Sequence, residues 1–229
     1  MGRSGKEEMR RGTIRRNYLT AVLLFVLFAI FTLIVKNIDV EAIGPQGSTV
    51  GLARFNRLVL DTVKADPNWD RITDLLALVS AAFGAGFMFL ALKQVLRRRS
   101  LWKVDFGLVL LAAHFVLMCA AYILFEMVII NYRPVLTEEG LEASYPSSHT
   151  MFVLCIMIPA VILFHRYLRR HIFLLVLVDI LCIALIAQAP VGRIMAGMHW
   201  ATDVIGACIL SAALCMLYYA VLFHYEEEH

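Results

Sequence analysis

A few side chains in this 229-residue chain have types and spacings suited to chemistry. His199 and Asp203 stand four residues apart at the start of an apolar run, which puts them on one helix face, one turn apart. The Asp203 carboxylate would then accept the Nδ1 proton of His199, leaving Nε2 free as nucleophile or base. A carboxylate at membrane depth is costly without a partner, so Asp203 points to function rather than to a buried capping pair. A second cluster is Tyr145-Pro146-Ser147-Ser148-His149-Thr150. Serine is a favoured helix cap and proline punctuates helix starts. The free N–H groups and positive dipole end of such a start suit a phosphate, with His149 beside it; the plainer reading is a serine cap with a surface histidine. Arg133 and Arg193 carry guanidinium forks that recognise phosphate oxygens, although either alone is better explained by snorkelling to headgroups. Together these residues describe a phosphoryl-transfer site. No metal or other cofactor is expected, because two nearby arginines would repel a divalent cation and only one histidine lies beside the aspartate.

The elements that must position these groups follow from composition. The chain is 61% hydrophobic and 17% charged, with mean hydropathy +0.76, against about half and a quarter for soluble domains. That excludes a disulfide scaffold, a disordered chain and a DNA-binding domain. The expected partners are membrane lipids and a lipid substrate, with no nucleic acid; oligomeric state is not legible. Apolar runs fall at 18–35, 75–95, 104–130, 151–164, 172–189 and 200–223, each compared with the roughly 20 residues that a bilayer core needs. The fourth is long enough only if its helix begins near Ser148 and continues through Tyr167. The expectation is an all-α bundle of six transmembrane helices forming a single domain over residues 1–229. The first run reads as an uncleaved anchor after a basic tail, 1–17.

Basic residues in short loops orient such a bundle. Fourteen of the 21 Lys and Arg lie in the N-terminal tail, the second-to-third connection and the fourth-to-fifth connection. This predicts that both termini are cytoplasmic and that the three polar clusters, around Arg133, His149 and His199, share the extracytoplasmic face. Residues 37–74 form an outer segment. Within it, Leu52, Phe55, Leu58, Val59 and Val63 suit one face of a short helix, broken by Asp66-Pro67-Asn68-Trp69. That helix either lies in the interface, with Trp69 at headgroup level, or packs on the bundle. The five cysteines read as small apolar packing residues, and His114 and Asp179 as single polar groups bonded to neighbours.

At these residues the chain resembles the type 2 phosphatidic acid phosphatase superfamily, whose site is shared with vanadium haloperoxidases and glucose-6-phosphatase. The family pattern is Lys-x6-Arg-Pro, Pro-Ser-Gly-His and Ser-Arg-x5-His-x3-Asp. Arg133-Pro134 fits the end of the first motif. Pro146-Ser147-Ser148-His149 fits the second with serine for glycine, and Gly192-Arg193-x5-His199-x3-Asp203 fits the third with glycine for serine. The resemblance runs from about residue 75 onward. It implies an integral membrane lipid phosphatase that works without metal through a phosphohistidine at His199, oriented by Asp203. His149 would protonate the leaving oxygen, while Arg133, Arg193, Ser147 and the N–H groups near Ser148 would hold the phosphate. The implied substrates are undecaprenyl pyrophosphate, phosphatidate or phosphatidylglycerophosphate. Glu126 stands where the family has its phosphate-binding lysine, two helical turns before Arg133. It would pair with Arg133, face a cationic headgroup or sit protonated. The alternatives are a lipid phosphotransferase and a degenerate, non-catalytic membrane protein or transporter; a transporter would line a path through its spans with charge, whereas here the polar groups gather on one face.

Overall fold

The computed structural model describes residues 3–66, 68–138 and 140–228; Pro67, read above as part of a helix break, lies outside them. Seven α-helices follow in order: α1 (Arg3–Asn37), α2 (Ala53–Val63), α3 (Asn68–Arg98), α4 (Phe106–Met127), α5 (Ser148–Tyr167), α6 (Ile172–Met195) and α7 (Ala201–Glu228). All except α2 are long and apolar enough to cross a membrane, and no strand occurs among the described residues. The expected all-α architecture with six long apolar helices is what the described residues adopt, with α2 as a seventh, short helix.

Burial sorts the bundle into a centre and a ring. Just over half (56%) of the most apolar window of α5 and of α7 is buried, against 17–22% in the other four spans. The outer helices instead turn large apolar side chains such as Phe89, Phe173 and Ile180 outward, the pattern expected where lipid is the solvent. α5 spans Ser148–Tyr167, as the apolar count required. It carries Pro159 in its interior, which cannot donate to the carbonyl of Cys155. His114 of α4 supplies that bond, its Nε2 lying 2.9 Å from the Cys155 oxygen, and Cys215 of α7 approaches the Leu154 oxygen at 3.8 Å. These polar groups at mid-span therefore serve the carbonyls one turn before Pro159. Asp179 of α6 likewise meets His165 of α5 at 3.0 Å.

The basic segments gather at one end. There Arg10 meets Glu227, Arg98 lies 3.6 Å from Asp105, and Arg166 donates to Glu226 at 2.6 Å. The N-terminal basic stretch is not a separate tail, since residues 3–17 continue α1.

Two helix boundaries differ from the hydropathy reading. α3 begins at Asn68 rather than near Leu75, which lifts Asp70, Thr73 and Asp74 out of the expected loop and onto the helix. α4 stops at Met127, so Glu126 and Arg133 do not share a helix face. The chain after α4 instead makes a narrow hairpin, in which Tyr132 pairs with Ala143 and Thr137 with Gly140.

α2 packs on the start of α7 through its small face, Ala53 and Asn56, and leaves Phe55 and Leu58 exposed. Asn56 donates to the Thr202 hydroxyl at 2.9 Å and accepts from the Thr202 N–H at 3.1 Å. The outer segment is thus bolted to the bundle, as the packed alternative proposed, while its larger apolar side chains still face outward.

Candidate active site

The end of the bundle opposite the basic network brings the three polar clusters together. Two are set by helix termini, since α5 begins at Ser148, α6 ends just past Arg193 and α7 begins two residues after His199, while Arg133 lies in the hairpin after α4. One main-chain bond and one buried side chain hold the termini in register. The Ser147 N–H donates to the Asp203 carbonyl at 3.0 Å, and Tyr145 is buried between helices, with its hydroxyl 2.8 Å from that of Thr32 in α1. Gly206 of α7 permits this, because a Cβ there would stand 2.6 Å from the Tyr145 ring.

Asp203 is fully buried but not isolated. Its Oδ1 accepts from the Asn131 side chain at 2.9 Å, and its Oδ2 accepts from the Trp200 N–H at 2.9 Å and from the Ser144 hydroxyl. Three donors offset the cost of burying the charge. The expected direct bond to His199 is absent: Nδ1 lies 3.8 Å from Oδ2, and Ser144 stands between them. Nε2 of His199 is buried with no hydrogen-bond partner among the described residues. His199 lines a narrow cleft together with Ser148, Tyr122 and Glu126. Burial, aided by the positive charges of Arg193 and Arg133 and opposed by Asp203, lowers the His199 pKa to about 4. The imidazole is therefore neutral at ordinary pH.

The arginines and His149 each hold a carboxylate. Arg193, almost fully buried, donates from one terminal nitrogen to Asp70 at 2.6 Å and to the Thr73 hydroxyl at 2.9 Å. Asp74 lies 3.8 Å from Arg193 and 2.9 Å from Nε2 of His149. Arg133 lies 3.0 Å from Glu142 across the hairpin. That ion pair gives Arg133 a counter-charge in place of Glu126, while its buried Nε makes no aligned hydrogen bond among the described residues. Gly192 lets α6 come this close to α3, since a Cβ would sit 2.5 Å from Thr73 Cγ2; the small residue at this motif position thus has a packing reason.

Ser147 is fully buried, and its hydroxyl turns to Thr150 at 3.1 Å instead of capping α5. Ser148 lines both the cleft of His199 and a larger cavity of about 540 Å3. That cavity runs between α3, α4 and α5, with Asp74 and His149 at its polar end and Leu78, Met118 and Phe152 along its apolar wall. Sequence reasoning gave no role to Ser144, Asn131, Asp70, Thr73 or Asp74. The i, i+4 spacing of Asp70 and Asp74 was the available signal for α3, and for Asn131 its place two residues before Arg133; Ser144 gave none.

With this geometry in view, comparison with known proteins places it. A sequence model of the PAP2 superfamily matches residues 126–226, a stretch that holds Glu126 and every motif residue quoted above. The fold is similar to the crystal structure of a transmembrane PAP2-type phosphatidylglycerolphosphate phosphatase from Bacillus subtilis. The two are 17% identical, with a TM-score of 0.63 over 91% of this chain and 96% of that one. No curated protein sequence matches the chain.

Proposed function

Starting from the PAP2 superfamily pattern that residues 126–226 carry, we propose that this chain is a multi-pass membrane enzyme removing phosphate from a lipid phosphate through a phosphohistidine at His199. The observation that carries the reading is the state of His199: a neutral imidazole beside the cleft, whose Nδ1 is engaged and whose buried Nε2 has no partner among the described residues. In the first step, Nε2 forms a bond to phosphorus as the bond to the leaving lipid oxygen breaks, and His149 gives that oxygen its proton. In the second, water attacks phosphorus, passes a proton to His149, and the N–P bond breaks to release inorganic phosphate. Arg133, Arg193 and the first N–H groups of α5 stabilise the equatorial oxygens. The incoming phosphate competes with Asp70, Asp74 and Glu142 for the two arginines. No metal takes part in this scheme, since the cations are guanidinium groups.

The apolar cavity beside His149 suits an acyl chain entering from the bilayer, which supports a phospholipid such as phosphatidate or phosphatidylglycerophosphate, or the longer undecaprenyl pyrophosphate. The concentration of basic loops at the other end supports cytoplasmic termini and a site on the outer face. The test is phosphate release from these lipids by the purified protein and by His199→Ala, with and without EDTA. Loss of turnover in the variant and none in EDTA is expected. Release by His199→Ala at near the normal rate would overturn the nucleophile, and loss in EDTA would overturn the metal-free scheme.

A further inference from the structure

Ser144 sits where the sequence predicts direct contact between His199 and Asp203. Its hydroxyl lies 3.1 Å from His199 Nδ1, and its own carbonyl oxygen is also 3.1 Å from that nitrogen. A carbonyl only accepts, so Nδ1 carries the hydrogen and Nε2 the lone pair. The same hydroxyl donates to Asp203 Oδ2. Its proton is thereby committed to the carboxylate, and its lone pair is left for Nδ1–H. Ser144 is buried, and the main chain fixes its place through a 2.9 Å bond from its N–H to the Asn131 carbonyl, at the base of the hairpin. The Asn131 side chain holds the other oxygen of the same carboxylate. Asp203 thus cannot swing toward the ring without leaving two donors unpaired.

We propose that Ser144 is a positioning residue, whose hydroxyl links the Asp203 charge to His199 and aims Nε2 at phosphorus. The inference rests on the phosphohistidine reading above. When Nε2 bonds to phosphorus the ring becomes cationic, and Nδ1 keeps its proton through both steps. Ser144 would stabilise that charge by drawing on Asp203 through one intervening hydroxyl, and no proton leaves the His199–Ser144–Asp203 chain.

The experiment compares kcat, KM and the rate of phosphoenzyme formation for Ser144→Ala, Ser144→Thr, Asp203→Asn and the double variant Ser144→Ala/Asp203→Asn. It uses full-length protein in mixed micelles with short-chain phosphatidate and phosphatidylglycerophosphate as probes. Ser144→Ala should lower kcat and phosphoenzyme formation by about 10–100-fold, taking the range known for metal-bound histidines that lose their orienting partner as the scale, with KM little changed. Threonine, which keeps the hydroxyl, should restore most of the rate. The double variant should be no slower than Asp203→Asn alone, because a link cannot be cut twice. Ser144→Ala activity within about threefold of the parent, or losses that multiply in the double variant, would overturn the link. If the alanine variant does not fold, Ser144→Cys keeps the volume while weakening both hydrogen bonds, and the same loss is expected and the same outcomes decide. A dead His199→Ala beside a fully active Ser144→Ala would refute only this inference, whereas an active His199→Ala would refute the nucleophile itself.

Discussion

Acidification, compared between the parent and a His199 variant, tests how strongly the fold holds this imidazole neutral. Its pKa is lowered to about 4 in the folded protein, chiefly by burial and further by Arg193 and Arg133, while Asp203 pulls the other way. In the unfolded chain the ordinary value is about 6.5. Between these values the unfolded chain binds the proton and the folded one does not. Stability is therefore complete above about pH 6.5 and falls as pH drops toward 4. A gap of about 2.5 units corresponds to about 3 kcal/mol, equivalent to roughly 6–12 °C in apparent Tm for a chain of this size. Other groups titrate in the same window, so the measurement is a difference: thermal unfolding by circular dichroism at a series of pH values, for the parent and for His199→Gln. The parent should lose about 3 kcal/mol more than the variant on going from about pH 7.5 to 4. The same shift has a kinetic face. At pH 5 about nine-tenths of His199 stays neutral, against a few per cent for an ordinary histidine, a roughly 30-fold difference in competent nucleophile. Parallel loss of stability in both proteins would refute the claim that His199 is held neutral by its surroundings.

Two further outcomes follow from the packing. Asn131→Asp places a second carboxylate where an amide now donates to Asp203 at 2.9 Å. It should lower apparent Tm at neutral pH by an amount reflecting a loss of about 2–4 kcal/mol, and part of that loss should be recovered as pH falls and one carboxyl protonates; a variant as stable as the parent would contradict the buried arrangement. Gly192→Ser should force α6 away from α3, because its Cβ would meet Thr73 Cγ2 at 2.5 Å. Phosphate release should fall at least tenfold through the displaced Arg193, and adding Thr73→Ser, which removes that methyl group, should recover part of it; no recovery would place the fault elsewhere.

The apolar count told where six long helices lie, and for the fourth, too short by itself, it asked for a start near Ser148 and a run through Tyr167, where α5 spans Ser148–Tyr167. It also placed Arg133, His149, Arg193, His199 and Asp203 at one end. Two kinds of feature escaped it. The start of α3 is polar for two turns, so hydropathy opened that span near Leu75; what makes Asn68–Asp74 helical is tertiary, since Asp70 and Asp74 meet Arg193 and His149 more than seventy residues away in sequence. Helix spacing likewise put His199 and Asp203 on one face but was blind to a third residue entering between them. Ser144 arrives from a hairpin 55 residues upstream of His199, and no periodicity links the two. The end of α4 was missed for a related reason: Val128–Ile130 are as apolar as a helix interior, yet the chain leaves the helix to build the hairpin that delivers Asn131 and Ser144.

The bond from the Ser147 N–H to the Asp203 carbonyl joins the second and third clusters peptide to peptide, with no side chain in between. Replacing Ser147, His149, His199 or Asp203 leaves both halves of that bond in place. The spacing between the phosphate cradle and the attacking nitrogen is therefore insulated from the substitutions that a mutational survey would make first. Rate changes in such a survey can be read as altered chemistry on a fixed frame, and variants in the two clusters can be combined and compared on one scale.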